Sequence, residues 1–349
     1  MSHQYERPEA QNGGLRLHLN ENTAGCSPQV LRVLRDLPRE QAAFYPDYDA
    51  AIAAAAAHFG LDPDRVVLTN GLDDGIMLAS LVSLRGATAT DPYEAIVVQP
   101  AFDMYAACAD AMGARIVDVP PQADFFFPLQ RVIEAITPRT RIIFLTNPNN
   151  PTGLSIPKAS IAAVAAAAPG ALVFLDEAYA DFAGQSMMPE AASGAIPNLL
   201  VGRTFAKAFG LAGLRAGALV GTAATLAPIR RAILPYTLNA YATAALPAAL
   251  ADRGYFEWYL AEVRDSKKLL YELLARAGVR FWPSDGNFVL ACFGDDLARV
   301  IAGVASRGIN IRDRSGDPGC EGCARITAGV LEHTRRVVTA LEEVLCGAR

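Results

Sequence analysis

Lys207 sits in the segment VGRTFAKAFGLAGLRAG, residues 201–217, flanked by Phe205, Ala206, Ala208 and Phe209. A lysine in apolar company is poorly solvated and gives up its proton more easily. Its free amine is then a good nucleophile toward carbonyls. Arg215 follows eight residues later, across Gly210 and Gly213. Glycines let the backbone turn sharply and approach a ligand closely. An amine, a flexible turn and a fixed cation suit an aldehyde that also carries a phosphate, which describes pyridoxal 5′-phosphate. The same residues also fit a strand-to-helix connection with a snorkelling lysine, so the rest of the chain has to choose.

The elements around this segment repeat one pattern. Short apolar runs at 66–69, 96–99, 142–146, 172–175 and 199–202 each end in a polar or glycine-containing turn, and a helical period follows. Such alternation predicts an α/β fold with a mainly parallel sheet covered by helices on both faces. In these sheets ligands bind beyond the carboxyl ends of the strands. The suspicious residues all fall at those ends. Before them, a polar arm leads to a helix starting at Ser27-Pro28, and an alanine-rich helix over 49–59 is closed by Gly60. After a short strand at 218–220, helical patterns cover 223–232 and 240–277, the second with a kink expected near Pro247. The last seventy residues read as a smaller α+β unit, with strands at 288–293, 309–312 and 325–327 and helices at 295–307 and 333–345. The expected division is a large cofactor-binding domain over 41–243, and a small domain made of 244–349 with the arm 1–40.

Each junction offers a group that the cofactor would need. Its ring nitrogen must stay protonated to draw electrons, and a buried carboxylate raises that nitrogen's pKa. Asp176, at the end of ALVFL, fits, although an aspartate there is also a helix cap. Tyr179 and Asn150 of NPNNPTG can donate to the phenolate oxygen. Gly71, Leu72 and Asp73 open a helix whose backbone N–H groups suit a phosphate, with Arg215 as the cation and Thr204 as a hydroxyl. Phe102 offers a flat face for the ring, though a core aromatic would look the same. Arg312 and Arg325, beside short strands near a glycine-rich loop, suit a carboxylate or phosphate on the substrate; as surface charges they would be unremarkable.

Composition narrows the classes. The chain has 349 residues, 52% of them hydrophobic, and a formal charge of −5 from 31 Lys+Arg against 36 Asp+Glu. That is enough for a large core and argues against nucleic-acid binding. No apolar run is long enough to span a membrane, and the polar residues 1–14 lack the apolar core of a signal peptide, so a cytoplasmic protein is expected. Cys320 and Cys323 form a CxxC without a second ligand pair, and the four histidines fit no metal spacing; no metal is expected. No GxSxG, Walker A or GxGxxG is present.

Together NPNNPTG, DEAY and the lysine segment ending GLRAG resemble the fold-type-I pyridoxal-phosphate aminotransferases. More narrowly, LNEN, YPD, the turn after 66–69, PAFDMY and IRDRS…GCARITAG resemble the histidinol-phosphate aminotransferases, over residues 19 to about 329. The resemblance implies a homodimer with Lys207 as the attachment and proton-shuttling residue. Asp176 would lie under the ring nitrogen, with Asn150 and Tyr179 at the phenolate oxygen. It implies Gly71, Leu72, Asp73, Thr204 and Arg215 around the phosphate, with Tyr45 reaching the partner subunit's cofactor. Asn20, Arg312 and Arg325 would meet the substrates, a small-molecule amino donor and a phosphorylated keto acceptor. Departures are Ala206 where serine is common, Phe102 for tyrosine, Gly329-Val330 for Gly-Thr, and Asp74 for glutamate. The alternatives are an aminotransferase for aromatic or other amino acids, a threonine-phosphate decarboxylase, and a non-catalytic cofactor sensor. The last is disfavoured because neither end carries a basic helix-turn-helix.

Overall fold

The computed structural model describes residues 13–88 and 90–346; most of the polar stretch 1–14 lies outside them. Twelve strands run in chain order: β1 Leu15–Leu17, β2 Val66–Thr69, β3 Glu94–Val98, β4 Arg115–Val119, β5 Thr140–Thr146, β6 Leu172–Asp176, β7 Leu199–Thr204, β8 Gly217–Val220, β9 Arg280–Trp282, β10 Phe288–Cys292, β11 Ile309–Asp313 and β12 Cys323–Thr327. They form a seven-stranded sheet, β2-β8-β7-β6-β5-β3-β4, and a five-stranded one, β1-β11-β12-β10-β9. From β4 through β7 the larger sheet is parallel; β8 runs antiparallel to both its neighbours. The expected mainly parallel sheet is what forms. Its central strands are buried along nearly their whole length, which is why IIFL, LVFL and LLV read as apolar runs.

Register then lines up the chemistry. Thr146 pairs with Asp176, Asp176 with Gly202, and both Thr204 and Thr69 with Gly217. At one edge, therefore, β2, β5, β6 and β7 place their last side chains and β8 begins. A Cβ on Gly217 would lie 2.6 Å from the Gly71 carbonyl carbon and 2.8 Å from the Leu72 nitrogen. Only glycine lets the turn after β2 close over the start of β8.

Local signals behave as their chemistry dictates. Ser27 accepts from the Gln29 N–H at 3.1 Å with Pro28 in the first turn, and Gly60 ends the helix Asp49–Phe59 at φ 68°. The long helix breaks elsewhere than expected. Pro247 lies inside the helix Ala240–Ala251, and the break comes at Asp252. There the Asp252 carboxylate caps the next helix, Arg253–Arg276, through Tyr255 N–H at 3.2 Å, and also takes the Ser27 hydroxyl. Ala242, Ala245, Leu246 and Leu250 of the first of these helices join Val30 in the core of the large sheet. Three strands went unseen in the sequence. β1 is only LRL, while β4 and β9 are half-exposed edge strands with charged residues among their apolar ones. β1 draws the arm into the small sheet by pairing in parallel with β11. No helix among the described residues is long and apolar enough to cross a membrane.

Candidate active site

A cleft of about 540 Å³ opens between the turning edge of the large sheet and the face of the small one. Lys207, Asp176, Tyr179, Asn150, Phe102, Leu72, Asp73, Thr204, Arg215, Arg312 and Arg325 all line it. They come from six separate stretches of sequence, and the strand register is what gathers them.

Asp176 is deeply buried. It is 4% exposed and accepts from Tyr105 Oη at 2.7 Å and from the Ala178 N–H at 2.8 Å. Burial pushes its carboxyl up to about 6 despite those two bonds. Tyr105 also lies 2.9 Å from Thr146 Oγ1, and burial together with the Asp176 charge pushes its phenol well up, so it remains a donor. Nothing in PAFDMY distinguishes this tyrosine from any core aromatic. Replacing it with phenylalanine strips a buried carboxylate of one partner, at a cost of about 1–3 kcal/mol. A thermal melt of Tyr105→Phe is expected to show a midpoint several degrees lower.

Lys207 is half-buried, with Phe205, Ala206, Ala208 and Phe209 all buried around it. Its Nζ donates to the Leu19 carbonyl at 2.9 Å and stands 5.9 Å from the centre of the Tyr179 ring. A Cβ on Gly210 would lie 2.3 Å from the Gly25 carbonyl oxygen, so a glycine is needed where the lysine loop meets the arm. Among the described residues lining the cleft, Lys207 supplies the one amine.

Two amides take their orientation from neighbours that leave no choice. Arg325 can only donate, and it donates to Asn150 Oδ1, which turns the Asn150 NH₂ away from the guanidinium. Asn20 accepts from Thr327 Oγ1 at 3.2 Å and donates from Nδ2 to Tyr179 Oη at 3.0 Å. The Tyr179 hydroxyl proton must then point elsewhere. Asn20 itself is 1% exposed and stands behind Tyr179, not on the cleft wall. The structure thus joins it to the ring donor it orients, whereas the sequence expectation put it at the substrate.

At the other end, Leu72 and Asp73 form the first turn of the helix Leu72–Leu84, with Gly71 before them at φ 77°. Gly71 is not on the wall; a Cβ there would lie 2.4 Å from Arg215 Nη2. Its bareness is what lets the guanidinium lie across the helix start. Arg215 meets Asp73 Oδ2 at 2.8 Å, and both side chains are about half-exposed, so an arriving anion displaces a contact of only about 0–1 kcal/mol. Phe102 packs edge-on to Tyr105 at 5.9 Å. Tyr45 stays apart: it is 79% exposed and stacked on Tyr236 at 4.1 Å.

Opposite, Arg325 is 6% exposed and also donates to the His18 carbonyl at 2.8 Å. Arg314, another arginine on this wall, was not singled out in the sequence; nor was His18, which is buried with Nδ1 lacking a partner among the described residues. Cys320 and Cys323 lie buried in a separate cluster with Trp282 and Leu290. Burial pushes the Cys320 thiol up to about 12, and no group of three or more metal-ligating side chains occurs among the described residues.

The family model described as Aminotransferase class I and II matches residues 13–341. The chain belongs to this family. As an aminotransferase it resembles the histidinol-phosphate aminotransferase 2 of Ralstonia nicotianae, 36% identical over 346 residues, covering 96% of this chain and 89% of the relative. The histidinol-phosphate aminotransferase of Symbiobacterium thermophilum is 34% identical, with 95% and 90% covered. Among solved structures, the Sinorhizobium meliloti histidinol-phosphate aminotransferase in complex with pyridoxal 5′-phosphate superposes with a TM-score of 0.86 at 26% identity, over 97% of this aminotransferase and 92% of that chain. An aspartate aminotransferase from Thermus thermophilus shares the fold, with a TM-score of 0.77 at 22% identity over 95% and 96% of the two chains. The architecture is that of the fold-type-I transferases.

Proposed function

We propose that this aminotransferase binds pyridoxal 5′-phosphate and moves an amino group from L-glutamate to imidazole-acetol phosphate, giving 2-oxoglutarate and L-histidinol phosphate. The observation that carries the reading is the placing of one amine, Lys207, and one buried carboxylate, Asp176, in a single cleft whose far wall is basic. The donor set fits the cofactor. Asp176 is an anion buried at a cost that a cationic ring nitrogen offsets, and the bare Gly71 leaves room for Arg215 beside a helix start.

When bound, the cofactor supplies an electron-withdrawing ring that stabilises negative charge at the substrate's α-carbon. The protein supplies the rest. Lys207 Nζ serves as the attachment point and takes and returns the α-proton. Asp176 holds the proton on the ring nitrogen. Asn150 and Tyr179 donate to the ring oxygen, Asn20 and Arg325 having set their orientations. Leu72, Asp73, Thr204 and Arg215 hold the cofactor phosphate, and Phe102 covers one ring face. Arg325 and Arg312 bind the substrate's anionic group. Tyr45, exposed on its own subunit beside Phe44, Leu234 and Tyr236, suits a homodimer in which it completes the partner's site.

Purified protein given the cofactor, L-histidinol phosphate and 2-oxoglutarate is expected to form L-glutamate. Turnover of aromatic amino acids in place of histidinol phosphate would overturn the substrate. Release of carbon dioxide from L-threonine phosphate without 2-oxoglutarate would overturn the reaction.

A further inference from the structure

We propose that Arg314 is the third arm of the clamp on the substrate's phosphate, and that it makes the site prefer a phosphate monoester to a carboxylate. The inference rests on the function proposed above and adds a residue to it. In the antiparallel pair of β11 and β12, Arg312 stands opposite Arg325, and the ladder continues with the Arg314 N–H donating to the Cys323 carbonyl at 3.0 Å. Side chains two apart on a strand share a face, as do directly opposed ones. Arg312, Arg314 and Arg325 therefore project from one face, and all three line the cleft.

Like charges opposed on a sheet are unfavourable, so such a cluster needs a reason. Among the described residues, neither Arg312 nor Arg325 has a carboxylate partner, whereas Arg314 is paired with Asp317. Arg314 is buried and Asp317 partly so, and among the described residues Arg314 still keeps an Nε without a partner, as Arg325 does. Burial, with the charges of Arg314 and Arg312, pushes the Arg325 guanidinium down to about 10. Asp103, which also lines the cleft, faces Asp317 from the large-sheet side, while Arg16 is taken up by Glu21 at 2.7 Å. The excess on the β11–β12 face is positive.

A carboxylate offers two oxygens and one charge, which one guanidinium meets in a bidentate pair. A phosphate monoester offers three terminal oxygens and a charge between about −1.5 and −2. One guanidinium serves the first; a cluster of three matches the extra oxygen and the extra charge of the second. Asp317 holds Arg314 by an ion pair, and its place is set by tight turns, with the Asp317 N–H on the Arg314 carbonyl at 3.0 Å and the Cys320 N–H on the Asp317 carbonyl at 3.0 Å.

The test is steady-state kinetics of the holoenzyme. Arg314→Gln is expected to raise KM for L-histidinol phosphate about 10- to 100-fold, with kcat and the KM for L-glutamate within about threefold. Arg314→Lys should recover part of the loss. Inorganic phosphate, used as a probe, should inhibit glutamate turnover less in the Gln variant than in the wild type. Equal changes for both substrates, or no change for either, would overturn the proposal. If Arg314→Gln does not fold, the Lys variant carries the same comparison. If the wild type does not turn over histidinol phosphate at all, the substrate reading falls, and the phosphate-inhibition arm still decides whether Arg314 binds phosphate.

Discussion

Lys207→Ala is expected to leave a folded protein with no measurable transamination, a loss of about 10⁴-fold or more. The magnitude follows from two functions resting on one atom. Nζ both anchors the cofactor and moves the α-proton, and no other amine lines the cleft among the described residues. The change removes a half-buried side chain whose Nζ donates to the Leu19 backbone carbonyl at the cleft wall, so stability should hardly move. The variant should lose the visible absorbance of covalently held cofactor while keeping its melting temperature. Added small amines should restore part of the turnover, because the proton-transfer role needs a base more than a tether.

Asp176→Asn should lower kcat about 10²- to 10³-fold, the scale of losing one preorganised electrostatic contact, with the cofactor still bound but more loosely. The pH behaviour separates this from a structural defect. The Asp176 carboxyl lies at about 6 against 3.8 for an ordinary aspartate, because burial disfavours its charge. The folded, cofactor-free protein therefore holds a proton that the unfolded chain has already released between about pH 4 and 6. Stability from this group is present below pH 4 and declines as pH rises through 6, by roughly 3 kcal/mol in all. Cofactor binding runs the opposite way. A cationic ring nitrogen needs the ionised carboxylate, so the wild type should lose affinity about tenfold per unit as pH falls below about 6. In Asp176→Asn that dependence should be missing.

Much of this was legible because parallel strands announce themselves. A fully buried strand must be an apolar run, and the turn at its carboxyl end must be polar or bare; Asp176, Asn150, Thr204 and Lys207 all stand at such boundaries. What was not legible depends on neighbours far along the chain. Tyr105 becomes a partner of Asp176 only when the helix Met104–Ala111 crosses the sheet, since nothing in PAFDMY tells a hydrogen-bonded tyrosine from a packed one. Asn20 was expected at the substrate from the resemblance alone. The pairing of β1 with β11 instead brings it behind Tyr179. Arg314 was passed over beside Arg312, because spacing by two acquires meaning only once strand β11 is known to pair with β12. Pro247 looked like the kink, yet the caps at Asn239 and Asp252 decide where those helices begin and end.

The central claim is that Lys207 is the amine that holds the cofactor's aldehyde. Protein loaded with pyridoxal 5′-phosphate, reduced with borohydride and digested, should show the phosphopyridoxyl mass on the peptide containing Lys207. A label confined to other lysines, or no label from a preparation that has taken up cofactor, would contradict the account.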